Sequence, residues 1–389
     1  MLILVLVVVG AFAFDFTNGF HDTANAVATS IATGALKPRV AVLMSAVLNF
    51  VGAFVSISVA ATIAKGIVNP AVLAGGGGLA LVLAALIGAI LWNLITWYLA
   101  IPSSSSHALI GGVIGATVVA SGAGAVNVNK LLQSVLVPAV LSPFICGAVA
   151  LLGTLAAYRL IRMLHVGEAV RGYRLGQIGS ASLLSLAHGT NDAQKTMGVI
   201  SLALIAHGDI STAHFYVPFW VKLGCALAIA LGTAAGGWRI INTMGNRLTN
   251  VESPQGFAAE SSSAAVILAS SYYGYPLSTT QVVSGGVTGA GLGKRLASVH
   301  WDVVGQMVTA WIFTIPSAAL IAAAAWEISS LFTNSAAGSV VIVLIAAAGA
   351  LALVRLAQRS KITPDELDRT TVNSDEGIVG LAHTAPANA

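Results

Sequence analysis

Long apolar runs dominate the chain, each about the length that crosses a lipid bilayer, and most of the few charges fall between them. A bilayer core is about 30 Å thick, and a helix spans it with about 20 apolar residues. Uninterrupted candidates are 39–63, 79–100, 131–164, 215–237, 255–273, 300–333 and 338–358. Only 8% of the residues are charged and 57% are hydrophobic, whereas a soluble domain carries about 25% charged residues. The chain therefore cannot cover a water-facing surface. It is expected to be an all-α polytopic membrane protein with about 10–12 transmembrane segments.

Four further regions are apolar but interrupted. Residues 1–36 are broken by polar side chains at Asp15–Asn25, and 175–207 at His188–Lys195. Residues 101–124 and 274–293 each begin with Pro and a Ser/Thr cluster. These regions predict broken or re-entrant helices, because irregular backbone at membrane depth must lie inside protein. Residues 1–14 lack a basic n-region and an A-x-A-like site, so no cleaved signal peptide is expected.

Basic residues orient the chain, since they concentrate in cytoplasmic loops. Arg159, Arg162, Arg171 and Arg174 mark the densest basic loop. With that loop in the cytoplasm, Lys37, Arg39, Arg239, Arg247, Lys294 and Arg295 also fall inside, as do Arg355, Arg359 and Lys361. Lys65 and Lys130 fall outside, and so does the N-terminus. The net charge of +4 is dispersed, with no basic run that would suggest nucleic acid. Cys146 and Cys225 lie in apolar runs and read as small buried hydrophobes, with no metal-ligand spacing.

Two motifs occur twice, in the same order. Asn18-Gly-Phe-His-Asp22-Thr-Ala-Asn25 is matched by His188-Gly-Thr-Asn-Asp192-Ala-Gln-Lys195. Pro102-Ser-Ser-Ser-Ser-His107 is matched by Pro276-Leu-Ser-Thr-Thr-Gln281, and seven of fifteen positions agree across 102–116 and 276–290. Five segments separate the two starts, an odd number, so the halves are expected to be inverted relative to each other. Interrupted helices at corresponding places of inverted repeats point to a transporter site at the membrane midplane. The expected organisation is a first repeat over 1–164, a cytoplasmic basic loop over 165–174 and a second repeat over 175–333. An additional transmembrane helix over 338–358 and a disordered cytoplasmic tail over 359–389 complete it.

The repeated residues suggest chemistry. A carboxylate at membrane depth needs a partner and usually marks an ion path, which makes Asp22 and Asp192 candidate coupling-ion ligands; a structural helix cap is the alternative. Asn25 and Lys195 follow three residues later, on the same helix face. Lys195 can neutralise Asp192, contact an anion, or replace a bound cation in its half. Ser104, Ser105 and Ser106, with Ser278, Thr279 and Thr280, follow Pro at helix starts. Free N–H groups and hydroxyls there make an oxyanion site, although such residues also join helices. Gly111/Gly115 and Gly285/Gly289 have the spacing of close helix packing. His21, His107 and His188 are either proton carriers or structural donors. Glu260 is a candidate cation ligand or a packing residue, while Asp15, Lys222, Asp302 and Glu327 read as interfacial.

Together these four motifs resemble the inorganic phosphate transporter (PiT) family, most closely its bacterial low-affinity branch, over all but the tail. The resemblance implies a cytoplasmic-membrane secondary transporter of inorganic phosphate, dimeric, contacting lipid, driven by a cation gradient and without an enzymatic activity or a resident cofactor or metal. It places Asp22, Asn25, Asn191 and Asp192 at the substrate and coupling-ion site. Ser104, Ser105, Ser278, Thr279 and Thr280 fall around the phosphate. Sodium-coupled members carry Asn-Asp-x-x-Asn in both halves. Here His21 precedes the first Asp and Lys195 replaces the second Asn, so the resemblance implies protons as the coupling cation. Sodium coupling, carriage of metal–phosphate complexes, and a sulfate or thiosulfate permease are alternatives within the family. A membrane hydrolase using Asp22 with His21 and a passive anion channel are alternatives outside it.

Overall fold

Backbone in lipid must satisfy its own hydrogen bonds, and this chain does so with helices. The computed structural model describes residues 1–66, 77–163, 166–211, 213–294, 299–359 and 362–371. Among these, a single isolated bridge, Thr249 to Val299, is the only β pairing.

The first half comprises α1 (Leu2–Ala32), α2 (Pro38–Gly52), α3 (Ser58–Gly66), α4 (Gly78–Tyr98), α5 (Ser105–Ser121) and α6 (Val128–Ile161). A π-helical turn at Leu132–Leu136 interrupts α6. The second half comprises α7 (Val166–His207), α8 (Phe219–Ala235), α9 (Trp238–Arg247), α10 (Ser253–Tyr272), α11 (Thr279–Lys294) and α12 (Trp301–Ser330). Two more helices follow, α13 (Ser335–Gln358) and α14 (Pro364–Thr371).

Five helices, α1, α4, α6, α12 and α13, are long and apolar enough to cross a membrane, and the bent pair α8–α9 makes six. The remaining helices are shorter or more polar. α6, α12 and α13 turn apolar side chains outward: Phe144 is 73% exposed and Leu320 is 71% exposed. Exposed apolar surface of this extent belongs against lipid.

Several expectations need correction. The polar stretches Asp15–Asn25 and His188–Lys195 do not break their helices; α1 and α7 run through both without interruption. Their polar groups are largely bonded to neighbouring helices, so the helical backbone has no reason to open. Residues 166–174, expected within a loop, form the first turns of α7; residues 164–165 lie outside the described residues. The expected span 39–63 is two helices, parted around Ala53–Ile57, where the Val59 N–H donates to Gln194 Oε1 at 2.8 Å. At the corresponding place in the second half, α8 and α9 meet at 62°. The tail is helical over α14, which packs on α1 and α2 and places Asp365 3.6 Å from Arg39. Residues 372–389, also expected to be disordered, lie outside the described residues. Asp15 is fully buried rather than interfacial, whereas Asp302 and Glu327 are exposed.

The two halves pack by one scheme with the partners exchanged. α1 crosses α8 of the other half, and α7 crosses α2. At these crossings a Cβ on Gly19 would come within 2.3 Å of Ile229 O, and one on Gly189 within 2.3 Å of Asn49 O. Only glycine lets the backbones approach so closely. Likewise α5 lies against α12 and α11 against α6, with Gly111 on the Ile315 backbone and Gly285 on that of Pro143. The glycine pairs singled out in the sequence are therefore packing sites.

The chain enters α5 and α11 through matching turns. Ala100 has φ 56° and Gly274 has φ 77°; the two positions are equivalent in the repeat. Both turns deliver extended Pro-Ser segments to the middle of the protein, between α1 and α7.

Candidate functional site

The centre of the molecule is built by two helices passing each other and two helices starting there. α1 and α7 contribute the acidic motifs from their middle turns. α5 and α11 begin at the same depth, each after its Pro and each capped by a serine. The Ser104 Oγ accepts from the His107 N–H at 3.1 Å, and the Ser278 Oγ accepts from the Gln281 N–H at 3.3 Å. Capping fixes these helix starts and directs the remaining free N–H groups inward.

Asp22 and Asp192 are buried and lie close together. One ligand atom each of Asp22, His188 and Asp192 falls within 4.8 Å of the others. Such a set could share one cation. The sequence reading assigned no metal ligands and did not place His188 in this group.

Each aspartate has an imidazole beside it. His21 Nδ1 is 2.6 Å from Asp22 Oδ1, and His188 Nε2 is 3.2 Å from Asp192 Oδ2. The other nitrogen of His21 lies 3.1 Å from Thr96 Oγ1, and that of His188 lies 3.1 Å from Asn49 Oδ1. His107 is buried and lines a different space, an apolar cavity of about 760 Å³ between α6 and α12.

The hydroxyls of α11 join the two aspartates. Thr279 Oγ1 donates to Asp192 Oδ2 at 3.2 Å, and Thr280 Oγ1 faces Asp22 Oδ1 at 3.5 Å. Asn25 Nδ2 donates to Thr280 Oγ1 at 3.0 Å and to Thr279 Oγ1 at 3.3 Å. Lys195 is completely buried, and three oxygens surround its ammonium: Asp192 Oδ1 at 2.5 Å, Ser106 Oγ at 2.5 Å and the Leu277 carbonyl at 2.6 Å. Ser105 Oγ is buried with no hydrogen-bond partner.

The remaining candidates stand slightly apart. Asn191 Nδ2 donates to Ser271 Oγ at 2.8 Å, on the side of α7 that faces α10. Glu260, on α10, bonds one turn beyond Asn25 on α1. It accepts from Thr29 Oγ1 at 2.6 Å, Ser180 Oγ at 2.6 Å and Gln177 Nε2 at 3.1 Å. The structure thus joins Asp22, Asn25, Asp192, Lys195, Ser106, Thr279 and Thr280 by direct bonds, and Glu260 forms a neighbouring polar cluster.

Sequence reasoning missed Thr96, Asn49, Gln177 and Ser180. Each is a polar side chain inside or beside an apolar run, outside the repeated motifs. Asn49, the one side-chain amide in 39–63, gave the best available signal, because a buried amide needs a partner.

Chemically, the site offers hydroxyls, helix-start N–H groups and one ammonium to an oxyanion, and two carboxylates to a cation. Residues 18–322 match a family described as "Phosphate transporter family". The chain is 57% identical to a Mycobacterium bovis protein named "Probable low-affinity inorganic phosphate transporter", covering 83% of this chain and 76% of that protein. A Bacillus subtilis protein of the same name is 42% identical, covering 84% of this chain and 97% of that one. A solved structure titled "The sodium-dependent phosphate transporter" superposes with a TM-score of 0.76 at 26% identity, covering 85% of this chain and 100% of the other.

Proposed function

Because the chain belongs to the phosphate transporter family, whose members are membrane transporters and not enzymes, we propose that it imports inorganic phosphate across the cell membrane by proton symport. Phosphate binds between the two halves. Its oxygens take the helix-start N–H groups of α5 and α11 and the hydroxyls of Ser104, Ser105, Ser278, Thr279 and Thr280. Ser106 on α5 and Lys195 on α7 close the site.

The observation that carries this reading is the ammonium of Lys195 held by three oxygens beside Asp192. That is the coordination a small bound cation would take, met by a side chain that cannot leave. The matching place in the first half holds Asn25, which is neutral. One half therefore carries a fixed positive charge, and only the half around Asp22 remains open to an exchangeable cation.

Charge balance makes coupling necessary. With the histidines neutral, Asp22, Asp192 and Lys195 sum to one negative charge. A phosphate anion entering a buried site of that sign is repelled strongly, because the low dielectric barely screens it. A cation that binds first removes the repulsion. The His21–Asp22 pair at 2.6 Å gives a proton a site at which to bind. Rocking of the two inverted halves about the midplane site would then alternate access. The dimer implied by the resemblance belongs to the same reading and is checked by the mass of the purified protein in detergent.

Sodium coupling is the second reading, favoured by the solved relative whose title names sodium. Asp22, Asn25 and Thr280 supply oxygens suitable for that ion. Phosphate uptake into proteoliposomes under an imposed proton or sodium gradient separates the two. Accumulation with a proton gradient alone supports the proposal, and accumulation only with sodium overturns it. Competition by sulfate, and uptake with and without divalent metal, test the remaining choices of substrate.

A further inference from the structure

Asp15 lies on α1 seven residues before Asp22 and is fully buried. Neither carboxylate oxygen has a hydrogen-bond partner. Seven residues are two helical turns, about 10 Å along the axis and on the same face. The face continues through Asn18, Asp22, Asn25 and Thr29, and Thr29 bonds Glu260. α1 therefore has a carboxylate beside it at intervals of about 10 Å: Asp15, Asp22 and Glu260.

Three helices enclose Asp15. α7 brings Thr196 against it, with Asp192 and Lys195 one turn and less away on the same helix, and α8 brings Cys225. The Thr196 hydroxyl is itself buried and unpartnered. Lys222, on α8 almost one turn before Cys225, is half-buried, and α4 carries no charged residue. An ionised carboxylate in this setting would be desolvated at several kcal/mol, offset only in part by the nearby Thr196 hydroxyl, Cys225 thiol and Lys195 ammonium.

The repeat shows that the fold does not require an acid at this place. Gly19 and Gly189 are equivalent, so Ser185 is the equivalent of Asp15, and it bonds the Ala181 carbonyl of its own helix at 2.8 Å. Asp15 and Lys195 both break the repeat in the core, with a carboxyl in the first half and an ammonium in the second. Towards the N-terminal end of α1, a cavity of about 610 Å³ opens between α1, α7 and the start of α8, lined by Leu4 and Val8, Leu204 and Asp209, and Pro218 and Trp220. Val8 is two turns from Asp15.

We infer that Asp15 is a proton-binding station between the cavity at the N-terminal end of α1 and the phosphate site. It takes a proton from water on the cavity side and releases that proton on the side of the phosphate site. Only O–H bonds break and form. The inference rests on the proton-symport reading above.

The full-length chain in proteoliposomes tests it, with labelled phosphate and three proteins: wild type, Asp15→Asn and Asp15→Glu. Asp15→Asn is expected to lose accumulation driven by a proton gradient while keeping exchange of internal for external phosphate. Asp15→Glu is expected to restore accumulation. Wild-type accumulation by Asp15→Asn would overturn the inference and leave proton symport intact. Loss of exchange together with accumulation in Asp15→Asn, or its failure to yield a monodisperse protein, would also overturn it by marking a structural or substrate-binding role. A wild type indifferent to the proton gradient would overturn both readings.

Discussion

The ammonium of Lys195 stands 2.5 Å from Asp192 Oδ1, where the other half of the repeat has Asn25 beside Asp22. Both partners are buried, so the pair is strongly coupled and sensitive to loss of either member. Removing one partner of a buried pair costs about 3–5 kcal/mol, because the other charge is left uncompensated. Lys195→Met is therefore expected to purify poorly or melt early. Lys195→Asn restores the repeat and leaves room for a mobile cation. It is expected to gain phosphate uptake that depends on added sodium, measured at fixed pH across a sodium series. Uptake unchanged in its ion dependence would sink the view of Lys195 as a tethered cation.

Thr280 links the halves, accepting from Asn25 and facing Asp22. A net hydrogen bond contributes about 0.5–1.5 kcal/mol. Thr280→Ala should raise the phosphate KM by about threefold to tenfold on that basis, with little change in melting temperature. A KM equal to wild type would remove Thr280 from the site.

Glu260 accepts three hydrogen bonds, all from neutral donors. In Glu260→Gln an amide N–H must face one of those donors, and a mismatch of this kind costs about 1–3 kcal/mol. The variant is expected to melt at lower temperature in detergent and to transport poorly. Thr29→Ala removes one donor and is expected to show the smaller defect of the two.

Gly19 and Gly189 mark close approaches between the halves in the middle of α1 and α7. A methyl group at either position must push two backbones apart, at about 1–3 kcal/mol or more. Gly19→Ala and Gly189→Ala are each expected to lower thermal stability, read by a melting curve monitored through size-exclusion recovery. Stability equal to wild type would mean that the helices cross elsewhere.

Ala100 has φ 56°, a conformation unfavourable for any residue with a Cβ. Its repeat equivalent is Gly274. Ala100→Gly is expected to stabilise the protein by about 1 kcal/mol, visible as a higher melting temperature with transport retained.

The helices and the paired motifs were legible in the sequence because both signals are local. Apolar runs predict helices directly, and the two Pro-Ser segments do start helices. What failed depended on partners far away in sequence. His188–Lys195 looked like an interruption because nothing nearby could show that Ser106 and Leu277 would receive the lysine. Asp15 looked interfacial because it lies near the start of the chain. Yet α1 has 31 residues, about 46 Å of helix, which puts Asp15 near its middle. Asn49 and Gln177 carry no motif, so only the packing of α2 and α7 shows what they bond.

The exchange of partners between the halves also bears on how the protein is made. α1 and α5 are synthesised early, yet the helices they pack on, α8 and α12, emerge only after residue 219 and residue 301. Until then their polar and glycine faces have no protein against them, and the lipid cannot supply the missing hydrogen bonds. The nascent first half must therefore be held at the edge of the insertion machinery or shielded by a chaperone. The buried carboxylates of α1 can enter the membrane interior for good only when α7, α8 and α11 close around them.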